Sequence, residues 1–140
     1  MKPDRILPVF RDEEREVVTI IRAYFAAAGR TVYIGDQTPI DEELDNVLPF
    51  IRVGRVGGAA RAGSEHTDRP VIDIDVLART RAEAKRVAQE IEQLMLSAPH
   101  PIDYCNVLMA PQRVTYVEGQ PYRRFYASYQ LGLRRAWPQQ

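Results

Sequence analysis

The sequence predicts an α+β fold: a single mixed or antiparallel sheet of about four to five strands packed against two amphipathic helices, in the order α-β-β-β-α-β-β. Three observations carry this. Ala84, Val87, Ala88, Ile91, Leu94 and Met95 recur at helical spacing on one stripe, with Lys85, Arg86, Gln89, Glu92 and Gln93 largely opposite. Just before them, Pro70 to Ala78 alternates Ile72, Ile74, Val76 and Ala78 with Asp73, Asp75 and Leu77. Near the end, Phe125, Ala127, Tyr129, Leu131 and Leu133 alternate with Arg124, Tyr126, Ser128, Gln130, Gly132 and Arg134 behind a turn at Glu118-Gly119-Gln120-Pro121, so the last two strands form a hairpin.

The central unit is a strand followed by a helix that covers it. The strand extends to about 30 Å and the helix from Thr80 to Ser97 spans about 27 Å, so the helix runs back along the whole strand. Thr80 and Glu83 have the spacing of a capping box. Each larger apolar side chain of the stripe contributes about 1.5–3 kcal/mol when fully buried, so Ile91→Asp is expected to unfold the domain.

The other elements follow from local chemistry. Residues 1–10 carry Pro3 and Pro8 and are expected to form an irregular N-terminal arm. From Asp12, Val17, Val18, Ile20, Ile21, Tyr24, Phe25 and Ala28 repeat at helical spacing behind the acidic first turn Asp12, Glu13 and Glu14, and Gly29 is the expected stop. Thr31 to Ile34 reads as a strand and Gly35 to Pro49 as an acidic loop. Phe50 to Val56 is the next strand, with Ile51, Val53 and Val56 set against Arg52 and Arg55, ended by Gly57-Gly58. Residues 57–69 are expected to be a long polar loop. Pro99 and Pro101 stop the second helix, Tyr104 to Val117 is a strand broken at Pro111, and residues 136–140 are a short tail.

Composition bounds the function. One domain over residues 1–140 is the default for this length, and 45% hydrophobic residues supply one core. Lys+Arg and Asp+Glu balance at 19 each, which excludes a whole-chain field of the kind that steers a protein onto nucleic acid. Cys105 is the single cysteine, so no internal disulfide forms. The sequence shows no signal peptide and no apolar run of membrane length, and a soluble protein is expected.

Candidate chemistries are thin. Asp73 and Asp75 stand on one strand face about two residues' rise apart, a spacing at which two carboxylates can share a cation or act as an acid/base pair; strand alternation explains them equally well. His66 and His100 lie in expected loops without ligand spacing, and Cys105 and Ser64 have no evident base. The acids Asp36, Asp41, Glu42, Glu43 and Asp45 do not match a calcium loop. Gly54-Arg55-Val56-Gly57 has the G-x-x-G spacing of an RNA-binding motif that joins two helices, but a strand precedes it here, and no phosphate-loop Lys-Ser/Thr follows Gly57-Gly58.

The run Phe50 to Gly58, the polar loop to Asp68-Arg69-Pro70, the strand Val71 to Ala78 and the helix from Thr80-Arg81-Ala82-Glu83-Ala84 together resemble the tail terminator proteins of long-tailed bacteriophages. The first helix and the closing hairpin fit the same pattern, so the likeness extends over most of the chain. It implies a structural virion protein without enzymatic activity or cofactor, assembled in the host cytoplasm and located in the tail or neck. Such a protein caps the tail tube as a homo-hexameric ring, ends tube polymerisation and presents a docking surface to the head-side connector, with DNA passing through the lumen. A ring requires one patch to meet a different patch on the next subunit. Arg124, Tyr126 and Gln130 on the outer face of the last strand, and Arg55, Arg61, His66 and Arg69 in or near the polar loop, are the expected contacts to neighbour, tube or connector; the loop arginines either meet the acids of Gly35 to Asp45 on a neighbour or point into the lumen toward tube acids or passing DNA. Two alternatives stay open: another head-tail connector or completion protein, or a small metal- or ligand-binding domain using Asp73, Asp75 and His66.

Overall fold

A computed structural model of the chain describes residues 12–58, 67–114 and 121–134, and the expected arm and tail lie outside them. The described elements are α1 (Glu13–Ala27), β1 (Tyr33–Gly35), α2 (Asp41–Leu44), β2 (Phe50–Gly58), β3 (Thr67–Asp68), β4 (Pro70–Ala78), α3 (Arg81–Leu96), β5 (Ile102–Val114) and β6 (Arg123–Arg134).

Both long helices begin and end on local signals. The Asp12 side chain accepts from the Arg15 amide at 3.2 Å, and the Thr80 hydroxyl from the Glu83 amide at the same distance. At the end of α1, Gly29 takes φ +68°, which only glycine enters without penalty, and a Schellman pair closes the helix: Gly29 N–H to the Ala26 carbonyl and Arg30 N–H to the Phe25 carbonyl. The α1 stripe buries Val17, Ile21 and Phe25, and that of α3 buries Ala84, Val87, Ala88, Ile91 and Met95.

The strands form one sheet. β1 pairs parallel with β2, β2 antiparallel with β4, and β4 antiparallel with β6. β5 pairs antiparallel with the other side of β6, completing the expected hairpin. β3 holds Thr67 and Asp68 opposite Arg134 and Leu133 in the register that β4 continues with Val71 opposite Gln130, so β3 and β4 are one strand interrupted at Arg69. Across the sheet the order is therefore β1, β2, β4 with β3, β6, β5, which meets the expected α+β layering.

Strand alternation sends Ile51, Val53, Ile72, Ile74, Val76, Phe125, Ala127, Tyr129, Leu131 and Leu133 to one face, where they meet the stripes of α1 and α3 in a single core. Among the described residues no long helix covers the opposite face. A smaller cluster of Leu44, Phe50, Leu77 and Tyr122 closes one end of that face.

Several boundaries differ from the expectations. The acidic loop contains the one-turn helix α2, placed by Leu44, which is fully buried. β1 starts at Tyr33 and includes Gly35, while β2 runs through Gly57 and Gly58 instead of ending at them. Val56, expected to turn inward with Ile51 and Val53, is exposed: it has the parity of Arg52 and Gly54 and follows them to the open face, while Arg55 takes the helix side. The strand expected from Tyr104 is already paired at Ile102 and is described to Val114; its pairing with β6 shifts three times, one shift spanning Pro111. Asp75 and Leu77, expected on a polar outer face, are both buried.

Candidate assembly surface

The sheet face away from α1 and α3 is built by the alternate residues of β2, β4 and β6. Register places Asp75 between Arg52 and Tyr126, and Asp73 between Gly54 and Ser128. The Asp75 carboxylate is 7% exposed and sits between two guanidinium groups: Arg124 Nε donates to Oδ1 at 2.5 Å, and Arg52 Nε lies 3.7 Å from Oδ2. The two guanidinium groups compensate the hydration that this carboxylate loses on burial. Arg124 also lies over the Tyr126 ring, 5.8 Å from its centroid. Burial, then the hydrogen bond to the Asp73 carboxylate, pushes the Tyr126 hydroxyl above its ordinary value.

One end of this face is pinned by Asp45. Its Oδ1 accepts from the Tyr122 hydroxyl at 2.9 Å and pairs with Arg79 Nη2 at 3.2 Å, while Arg79 Nη2 also donates to the Asp45 carbonyl at 2.8 Å. These contacts hold α2 and its loop against the sheet. Asp36, Glu42 and Glu43 of the same segment remain exposed.

On the helix side, Glu90 is the charged hub. Arg30 donates to both of its oxygens, Arg86 Nε lies 3.2 Å from Oε1, and the Tyr24 hydroxyl donates to Oε2 at 3.1 Å. Burial alone would raise the Glu90 pKa, but the bonds from Arg30 and Tyr24 and the charges of Arg30 and Arg86 outweigh it and hold it below the usual carboxylate range. The cluster ties the end of α1 to α3.

The residues expected to make contacts separate into three groups. Arg124, Tyr126 and Gln130 do come together on the open face of β6, each partly exposed. Arg55 turns toward α1 instead: its amide donates to Glu14 Oε1 at 2.9 Å and its guanidinium lies 3.3 Å from Glu13 Oε2. Arg69 is partly buried at the break between β3 and β4, and Arg61 and His66 lie outside the described residues.

Among the described residues the candidate reactive groups are held apart or already paired. Asp75 is already neutralised by two arginines, so the D-x-D pair does not offer two free carboxylates to a cation. Among the described residues no three or more His, Cys, Asp or Glu side chains converge as metal ligands. His100 is exposed on the turn after α3. Burial pushes the Cys105 thiol up to about 11, the Glu92 carboxylate adding to the shift, and a thiol so held is a poor nucleophile at neutral pH.

Sequence reasoning missed an apolar patch. Val107, Leu108 and Met109, consecutive on β5, are 38%, 54% and 41% exposed, while Tyr33 on β1, at the opposite edge of the sheet, is 38% exposed and Ile40, just before α2, 65%. The available signal was three consecutive large apolar residues in a strand that does not alternate, since neither face of a simple ladder accounts for all three.

A family model described as "Phage tail termination protein" matches residues 10–103. No curated protein matches the chain. Among solved structures, a chain of the "Virion of native gene transfer agent (GTA) particle" is similar at a TM-score of 0.55 and 18% identity, covering 84% of this chain and 91% of that one. At that identity the likeness bears on the fold.

Proposed function

Since that match spans more than half of its length, the chain belongs to the phage tail termination protein family and is a structural protein of the virion tail, and we propose that it caps the tail tube as a homo-hexameric ring. In this reading the ring ends polymerisation of the tube protein and presents the surface on which the head-side connector docks. DNA crosses the lumen as cargo. The protein carries out no catalytic step and takes no cofactor.

The observation that carries the proposal is the asymmetry of a two-layer domain within this family. One sheet face is filled by α1 and α3, and the other is an open polar surface crossed by the Arg52–Asp75–Arg124 bridge. Charged and polar groups already oriented by pairing within the chain suit a docking surface, because less ordering is left to the moment of contact. Arg124, Tyr126 and Gln130 on that surface are assigned to contact with the tube or connector. Arg61, His66 and Arg69 are assigned to the contact with a neighbouring subunit, where Asp36, Glu42 and Glu43 offer opposite charge. A junction of ordinary size would bury roughly 800 Å² per partner.

The test is tube growth. Purified tail-tube protein is polymerised with and without this protein and imaged by negative stain. Short tubes decorated at one end are expected; unchanged tube lengths with bare ends would overturn the reading.

A further inference from the structure

We propose, resting on the ring reading above, that neighbouring copies join edge to edge: β5 of one copy pairs antiparallel with β1 of the next, covering Val107, Leu108 and Met109.

The sheet has two lateral edges, β1 and β5, and among the described residues neither has a strand beyond it. An open edge presents a row of backbone donors and acceptors that another strand can complete. Here each edge also carries exposed apolar side chains, Val107, Leu108 and Met109 on β5 and Tyr33 on β1, with the exposed Ile40 on the segment that leads from β1 into α2. Those on β5 are the one run of three consecutive exposed large apolar residues among the described residues.

Strand direction decides how two copies can meet. β1 runs with β2, against β4, with β6 and against β5. A rotation about an axis along the strands therefore brings β5 of one copy beside β1 of the next in the antiparallel sense. Such a head-to-tail contact uses two different surfaces and closes into a ring when the rotation permits.

Self-pairing of β5 about a two-fold axis suits the strand less well. Its pairing with β6 shifts register between Ile102 and Tyr104, between Val107 and Met109, and between Met109 and Gln112. Bulges and Pro111 interrupt the long ladder that a two-fold contact between two copies of β5 would need and that a contact with the three-residue β1 does not. Charge agrees with the heterologous contact. Arg113 is the one charged residue in the stretch Leu108 to Val114, whereas Asp36, Glu42 and Glu43 are exposed just after β1.

The experiment uses Leu108→Arg and Ile40→Arg, at residues exposed enough for the monomer fold to tolerate a charge, with solution mass and circular dichroism read on each. Expected is a ring-sized mass for the unaltered protein, alone or on tail tubes, and a folded monomer for each variant. An equimolar mixture of the two variants at high concentration is expected to double the mass, since one keeps its β1 edge and the other its β5 edge. Rings formed by Leu108→Arg would overturn the edge junction while leaving the ring reading intact. Two monomeric variants that do not pair when mixed would overturn the head-to-tail arrangement. An unaltered protein that stays monomeric even with tail tubes would remove the ring and this junction together. Hydrogen exchange on the unaltered ring reads the contact without a substitution: amides 107–109 are expected to slow on assembly, and unchanged exchange there would contradict the junction.

Discussion

Asp75 and Arg124 are joined across β4 and β6 by a charge-assisted hydrogen bond of 2.5 Å, the carboxylate 7% exposed and the guanidinium 29%. The pair lies on the sheet face opposite α1 and α3, so a surface open to partners contains a buried carboxylate whose lost hydration Arg124 and Arg52 compensate.

Arg124→Ala leaves Asp75 with Arg52 alone, at 3.7 Å. The expected cost is about 1–3 kcal/mol, below that of a fully buried pair because solvent already screens part of the interaction. A fall in the urea midpoint with an unchanged slope would report it, and Asp75→Asn in the Arg124→Ala background should recover part of the loss. An unchanged midpoint for Arg124→Ala would show that the bridge does not hold the strands.

Glu90 makes part of the stability depend on pH. Its folded-state pKa lies below the ordinary value of 4.5, so its contribution is fully present above that value and is lost as pH falls through the folded value. The stability difference between the native protein and Glu90→Gln should therefore be largest at neutral pH and shrink below pH 4.5. A difference that stays constant from neutral to acidic pH would contradict the Arg30–Tyr24–Glu90 account.

Tyr129 is fully buried, and its hydroxyl has no hydrogen-bond partner among the described residues. Burial drives its pKa upward, the Glu92 and Cys105 charges adding to the effect. Tyr129→Phe removes an unsatisfied polar group while keeping the ring, so the protein should gain about 1 kcal/mol. Thermal melting measures this, and a destabilised variant would mean that the hydroxyl is satisfied.

Gly132 faces the Tyr104 ring across β5 and β6, and a Cβ there would come within 2.2 Å of the ring. Gly132→Ala must push the partly exposed ring outward, at a cost of about 1 kcal/mol in lost packing. Tyrosine fluorescence and the melting temperature should change together; neither moving would show that the ring does not rest on the glycine.

What was legible in the sequence is what is local. Thr80 and the 3.6-residue stripe define α3, Asp12 and Gly29 bound α1, and alternation in β4 and β6 separates the core from the open face, because each signal is contained in a few adjacent residues. α2 was not legible, since Leu44 is buried only by Phe50, Leu77 and Tyr122, which come from elsewhere in the chain. Val56 is the exception, since strict alternation from Ile51 and Val53 already sets it with Arg52 on the open face, and its apolar character alone suggested the interior. The candidate site divides the same way. Arg124, Tyr126 and Gln130 follow from parity along one strand, whereas the Asp75 bridge needs the register of three strands. Val107 to Met109 escaped notice because a run of apolar residues reads as interior, and here the covering surface is assigned to another copy.

The central claim is tested most directly by the mass of the purified protein in solution across a concentration series, measured by light scattering with negative-stain imaging of the same sample, alone and with purified tail tubes. The account predicts a closed ring of six copies, formed either free or on the tube end. A protein that remains monomeric at every concentration and leaves tube ends bare would contradict it.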